Sequence, residues 1–166
     1  MVAEKFRLDG KVAVITGSGR GIGQGIGLTF AEGGASVVVS ARTEGDIQAN
    51  VEKAKEFGVP AVAVRCDVTD DSQLKALVAR AIEAFGRIDI VANNAGGAMP
   101  NQIPTTNRKR FNEAFDFNVA SAFAFTRACL PHLKASRGCV INISSAAGRI
   151  VQRNFSVYGS VKAALA

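Results

Sequence analysis

Tryptophan is missing from this 166-residue chain, histidine and tyrosine occur once each, and cysteines number three and prolines four. Each shortage excludes something. The single His132 and the widely spaced Cys66, Cys129 and Cys139, with no Cys-x-x-Cys pair, offer no set of metal ligands at workable spacing. An odd number of cysteines also argues against a disulfide-stapled secreted domain, and Cys66 and Cys139, set in apolar strand-like runs, are expected to be buried thiols. Four prolines beside seventeen glycines leave no proline-rich linker, and no repeat or low-complexity tract is present. No apolar run is long enough to span a bilayer, and the N-terminal Met1–Arg7 lacks the apolar core of a leader. The formal charge of +6 invites a polyanion, but the only dense basic run is Arg108-Lys109-Arg110, at the start of a helix, and aromatics are few. A soluble, cytoplasmic protein with no nucleic-acid, metal or membrane partner is expected.

With 48% hydrophobic residues the chain can bury one sizeable core, so residues 1–166 are expected to form one domain. Apolar runs at 11–16, 35–40, 61–66, 88–92 and 139–143 predict five buried strands. Between them, helical periodicity predicts helices over about 24–32, 44–57, 71–85 and 109–136, the last kinked or divided at Pro131, with a final helix opening at Ser156 as its cap. Regular strand–helix alternation calls for a doubly wound parallel sheet, a Rossmann fold with helices on both faces. In such sheets ligands sit at the carboxyl ends of the strands. Here those ends carry 17–23, 40–42, Asp67, 93–96 and 144–145, which are the odd polar and glycine clusters of the chain.

One of these clusters, and a pair of residues in the closing helix, have chemical content. Glycines at 17, 19, 21 and 23, after the first strand and opening a helix, let backbone approach a phosphate and leave helix N-terminal amides to bind it. The spacing is Thr-Gly-x-x-x-Gly-x-Gly over Thr16–Gly23 rather than Gly-x-Gly-x-x-Gly. In the closing helix, Tyr158 and Lys162 are four apart and share a face, so an ammonium sits where it can favour a phenolate. Alone, that pair reads as an ordinary amphipathic surface pair.

Together with Asn93-Asn94-Ala95-Gly96 after the fourth strand and Ser145 after the fifth, these motifs resemble the short-chain dehydrogenase/reductase family over essentially the whole chain. The resemblance implies an oxidoreductase that moves a hydride between a nicotinamide dinucleotide and a ketone or secondary alcohol. It implies Tyr158 as general acid/base and Lys162 as the residue that tunes it and holds the nicotinamide ribose. Ser145 then polarises the carbonyl, and Asn118 positions a relay water. Ser144 competes with Ser145, though the spacing to Tyr158 favours Ser145, and Asn118 also reads as a kink or cap in its helix. The cofactor residues implied are Gly17, Ser18, Arg20, Gly21, Ile22, Gly23, Arg42, Asp67, Val68, Asn94, Ala95 and Gly96, with Tyr158 and Lys162. At the end of the second strand the sequence has Ala41-Arg42 in place of a carboxylate, and Arg20 can reach the same place, so NADP(H) is expected over NAD(H).

The family pattern continues past Ala166 with the rest of the Tyr/Lys helix, two further strands and a substrate-covering segment. The chain is therefore expected to be a piece of a longer, homo-oligomeric enzyme, its fifth strand left as an apolar edge. Were these residues the whole protein, a poorly soluble or inactive chain is expected. The alternative function is a catalytically silent dinucleotide-binding or interaction module. Segments 97–103 and 149–154 mix apolar and basic residues and admit acyl-thioesters, steroids, sugars or small ketones as the carbonyl substrate; ketoacyl reductases and hydroxysteroid dehydrogenases are the nearest relatives by resemblance.

Overall fold

The computed structural model describes residues 4–166; Met1, Val2 and Ala3, part of the segment read above as lacking a leader, lie outside the described residues. Five strands form one wholly parallel sheet: β1 (Val12–Thr16), β2 (Ser36–Ala41), β3 (Ala61–Arg65), β4 (Ile90–Asn93) and β5 (Cys139–Asn142), in the order β3-β2-β1-β4-β5. Six α-helices accompany them: α1 (Gly21–Glu32), α2 (Glu44–Lys55), α3 (Asp71–Phe85), α4 (Arg108–Phe115), α5 (Ser121–Ser136) and α6 (Ser156–Leu165). Strand order reverses at β1, which pairs with both β2 and β4, so a crevice opens beyond the carboxyl ends of these central strands.

Neighbouring residues of a strand point to opposite faces, and the apolar runs supply both faces. Val14, Val38 and Val91 meet Leu74 and Leu77 of α3 and Phe125, Cys129 and Leu133 of α5 on one side. Ala13, Ile15, Val37, Val39 and Ala92 meet Ala31 of α1 and Ile47, Val51 and Ala54 of α2 on the other. Burial explains why these strands read as continuous apolar runs rather than alternating ones. It also pushes the Cys66 thiol up to about 11 and that of Cys129 up to about 12. A third, smaller cluster of Ala114, Val157 and Val161 joins α4 to α6.

Helix ends follow the local chemistry. Asp70 accepts from the Ser72 and Gln73 amides at the start of α3, and Gly86, in the left-handed region, closes it. Asn107 caps α4 through the Arg110 amide. Three expectations fail. Ser156 is the first helical residue of α6, with Phe155 in the cap position and no side-chain cap bond there. Pro131 lies within an unbroken α5, and the long helical stretch is divided instead by a π turn at Asp116–Ala120. The cause is Asn118, whose Nδ2 donates to the Ala114 carbonyl at 2.8 Å and so competes for the acceptor of its own backbone amide. Finally, Cys139 is exposed, because β5 is a sheet edge with every residue open to solvent.

One carboxylate locks the amino ends of three strands. Asp89, 2% exposed, accepts from the Val12 amide and both Arg87 donors and lies 3.6 Å from Lys11 Nζ, while its carbonyl accepts from Cys139. Burial pushes its carboxyl up, but the Arg87 and Val12 hydrogen bonds and the charges of Arg87 and Lys11 outweigh it and hold the group below the usual carboxylate range. Asp89→Ala is expected to destabilise the fold by about 2 kcal/mol in urea unfolding, since it strands a buried strand amide and a guanidinium. A loss within experimental error of zero contradicts this account of how β1, β4 and β5 are tied.

Candidate functional site

The crevice at the carboxyl ends of the strands is a cleft of about 410 Å³. One wall is the glycine loop between β1 and α1. Two asparagine side chains hold four consecutive loop carbonyls: Asn94 Nδ2 donates to Thr16 O and Gly17 O at 3.0 Å each, and Asn50 Nδ2 donates to Ser18 O at 2.9 Å and Gly19 O at 2.8 Å. Ser18, fully buried, adds a hydroxyl bond to the Ile15 carbonyl and accepts from the Ser40 amide, stitching the loop to the end of β2. Gly21 sits at φ +58° where α1 begins, and a Cβ at Gly23 would stand 2.4 Å from Asn94 Nδ2, so close approach requires glycine there. Arg20, the cap residue of α1, is extended and makes no side-chain cap bond, so the first-turn amides of the helix are left as donors. Free amides with the positive end of a helix dipole suit a phosphate.

The facing wall comes from the end of β5 and from α6. Tyr158 and Lys162 both line the cleft, with Lys162 Nζ 5.9 Å from the Tyr158 ring centroid. Lys162 is 4% exposed and donates to the Ile143 carbonyl at 2.9 Å. Burial holds its ammonium below the ordinary lysine value. Asn118, fully buried, accepts from the Gly97 amide and donates to the Gly97 and Ala114 carbonyls. A Cβ at Gly96 would lie 2.6 Å from Asn118 Oδ1 and 3.1 Å from Lys162 Nζ, so both side chains close on Gly96. Ser144 lines the cleft, but its hydroxyl proton is committed to the Lys162 carbonyl at 2.6 Å. Ser145 accepts from the Ala147 amide at 3.2 Å, which leaves its own proton available to donate.

The far end of the cleft is charged. Arg20 and Arg42 line it, and Arg65 donates to the Arg42 carbonyl from beside it. Arg42 stands 3.9 Å from Asp67, a loose and exposed pairing worth little by itself. The Asp67 carboxyl is held below its ordinary value chiefly by hydrogen bonds from the Thr69 amide and hydroxyl, with the Arg42 charge a smaller contribution. Asp46, from the first turn of α2, also reaches this wall beside Gly19 and Ala41.

The structure thus brings Gly17, Arg20, Ile22, Gly23, Arg42, Asp67, Val68, Asn94, Ala95, Gly96, Tyr158 and Lys162 to one cleft. Ser18, Gly21, Asn118 and Ser145 are not on its lining: Ser18 and Asn118 lie buried behind it, and Gly21 is at the exposed start of α1. Asp46, Phe117 and Asn50 were not singled out by the sequence reading. Asn50 had a signal, since it falls on the inward stripe of α2 with Ile47, Val51 and Ala54, where an apolar residue is the rule. Among the described residues, no group of three or more His, Cys, Asp or Glu side chains could hold a metal ion, and no helix is long and apolar enough to cross a membrane.

Comparisons with known proteins identify the family and the fold. Residues 11–166 match the model of the short chain dehydrogenase family. The chain is 45% identical over 168 residues to an uncharacterized oxidoreductase of Mycobacterium tuberculosis, covering 100% of this chain and 64% of that protein. It is 40% identical over 170 residues to the 7α-hydroxysteroid dehydrogenase of Escherichia coli, covering 98% of this chain and 64% of that protein. A solved 7α-hydroxysteroid dehydrogenase complexed with NADH and 7-oxo glycochenodeoxycholic acid superposes with a TM-score of 0.93 at 38% identity, over 99% of this chain and 65% of that one. This chain belongs to the short-chain dehydrogenase family, and it spans about two thirds or slightly less of these relatives' length.

Lys162 offers a test of the site's electrostatics. Its folded value lies below 10.5, so between that value and 10.5 the unfolded chain binds the extra proton, and stability of the parent rises with pH across this window. Lys162→Met lacks that contribution. The stability difference between the two, followed by thermal melts, should move toward the parent as pH rises through the window; a pH-independent difference contradicts a buried ammonium here.

Proposed function

We propose that this chain forms the cofactor-binding and proton-transferring part of an oxidoreductase that moves a hydride between NADPH and a ketone or its secondary alcohol, with Tyr158 as general acid and base. The observation that supports this most is the meeting of the glycine loop, Tyr158 and the buried Lys162 in one cleft. Relatives named as dehydrogenases of a 7α-hydroxysteroid and of L-fucose support chemistry at an alcohol or carbonyl carbon.

A bound nicotinamide dinucleotide would supply or accept the hydride. The chain's own residues do the rest. The loop amides and the N-terminus of α1 bind the pyrophosphate, Asp67 and Val68 flank the adenine, and Asn94, Ala95 and Gly96 support the ribose side. Arg20 and Arg42 bind a 2′-phosphate, and Ala41 presents no carboxylate to repel it. The solved 7α-hydroxysteroid dehydrogenase complex holds NADH. Asp46 and Asp67 put two carboxylates on the same wall, so the 2′-phosphate reading rests on the paired donors of Arg20 and Arg42 rather than on a surplus of positive charge. Lys162 holds ribose hydroxyls and offsets the negative charge left when Tyr158 gives up its proton. In reduction, the Tyr158 hydroxyl delivers that proton to the carbonyl oxygen, while the free Ser145 hydroxyl proton polarises the same oxygen. Oxidation reverses both. Asn118 positions a water that resupplies the proton; its closeness with Lys162 around Gly96 supports this place in the relay.

We also propose that the protein works as a homo-oligomer, which the exposed Phe123 and Leu130 on α5 support.

Tyr158→Phe should lower kcat by on the order of 10²- to 10⁴-fold while NADPH affinity stays near that of the parent. Unchanged turnover on a panel of ketones removes Tyr158 from the mechanism. In the same assay KM should be lower for NADPH than for NADH, and the reverse order overturns the 2′-phosphate assignment.

A further inference from the structure

Asn50 lies on α2 behind the glycine loop, not on the cleft wall, and is 2% exposed. Its two amide protons go to the consecutive carbonyls of Ser18 and Gly19. Gln24, from α1, donates its Nε2 proton to Asn50 Oδ1, so the carboxamide is fixed with its NH₂ toward the loop. In a trans peptide the carbonyl and the following N–H point in opposite directions. Holding the Ser18 and Gly19 carbonyls against Asn50 therefore turns the Gly19 and Arg20 amides to the other side, and both residues line the cleft. Gly19 lacks a Cβ, so no side chain restricts rotation of the peptides on either side of it. Either one flipped presents a carbonyl oxygen where an anion is to bind.

We infer that Asn50 is a positioning residue for the cofactor site: it fixes the orientation of the 18–19 and 19–20 peptides so that their amides face a pyrophosphate it does not itself touch. This rests on the dinucleotide reading of the cleft. A purely structural role, in which Asn50 only satisfies two buried carbonyls, would alter stability but not discriminate between ligands.

The test compares two probes by calorimetric titration of the parent, Asn50→Asp and Asn50→Leu. NADPH carries the pyrophosphate, whereas adenosine 2′-phosphate carries the adenine, ribose and 2′-phosphate without it. The aspartate keeps the size of the side chain but repels both carbonyls and attracts their amides, so it favours the flipped loop. Kd for NADPH should rise about tenfold or more in both variants, with adenosine 2′-phosphate unchanged within about twofold. Gln24→Met leaves Asn50 in place and removes only its orienting donor; it should weaken NADPH by about threefold, and it decides the matter if the Asn50 variants do not fold. NADPH affinity unchanged in these variants, or equal loss for both probes, overturns the inference and leaves the dinucleotide reading standing. A parent that binds neither NADPH nor NADH overturns that reading, and the role of Asn50 with it. A parent that prefers NADH shifts the comparison to NADH against adenosine, with the same outcomes deciding.

Discussion

The site depends on where the carbonyls between β1 and α1 point. Four in succession, from Thr16 to Gly19, are held from behind by two carboxamides, Asn94 from the end of β4 and Asn50 from α2. A glycine-rich loop is free to take many shapes, and such freedom would have to be lost on binding. Spending those carbonyls on fixed donors removes the freedom in advance and leaves the opposite edges of the peptides as donors on the cleft side. The parallel sheet makes this possible because it brings the ends of β1 and β4, adjacent in space though far apart in sequence, to the same level. The reversal of strand order at β1 then leaves the space in front of the loop open for a ligand.

The second requirement is a buried positive charge opposite that loop. Lys162 is almost fully enclosed, with the Ile143 carbonyl as its hydrogen-bond acceptor and burial working against its charge. An ammonium in this position is costly to fold around and useful to anything that brings electron-rich oxygens beside it. The π turn at Asp116–Ala120 belongs to the same arrangement, since it places Asn118 against Gly97 and beside Gly96, where Lys162 also closes.

Much of this was legible in the sequence. Continuous apolar runs gave the five strands because both sheet faces are buried, and their polar ends marked the cleft before any topology was known. Helical spacing put Tyr158 and Lys162 on one face, and the resemblance to the dehydrogenase family, not the spacing, made that pair a candidate site. What could not be read depended on context. Cys139 lies in a run like those of the central strands, so the run itself reads as buried; only the family resemblance marked β5 as an edge, as the strand order shows it to be. Of the two places where the sequence allowed the long helix to be interrupted, Pro131 and Asn118, only the fold shows that it is Asn118, whose side chain bonds the Ala114 carbonyl. Asn50 and Asp46 reach the loop from α2; the helical pattern marks Asn50 as a polar residue on an inward stripe, but only the fold shows what the two meet.

On this reading the oriented amides of the loop and of the first turn of α1 bind the phosphates of a dinucleotide. Amide-resolved NMR of the ¹⁵N-labelled protein during titration with NADPH tests it most directly. Saturable shifts that include Gly19, Arg20, Gly21, Ile22 and Gly23 and follow one binding curve are expected. Saturable shifts elsewhere with these five amides unmoved would contradict it.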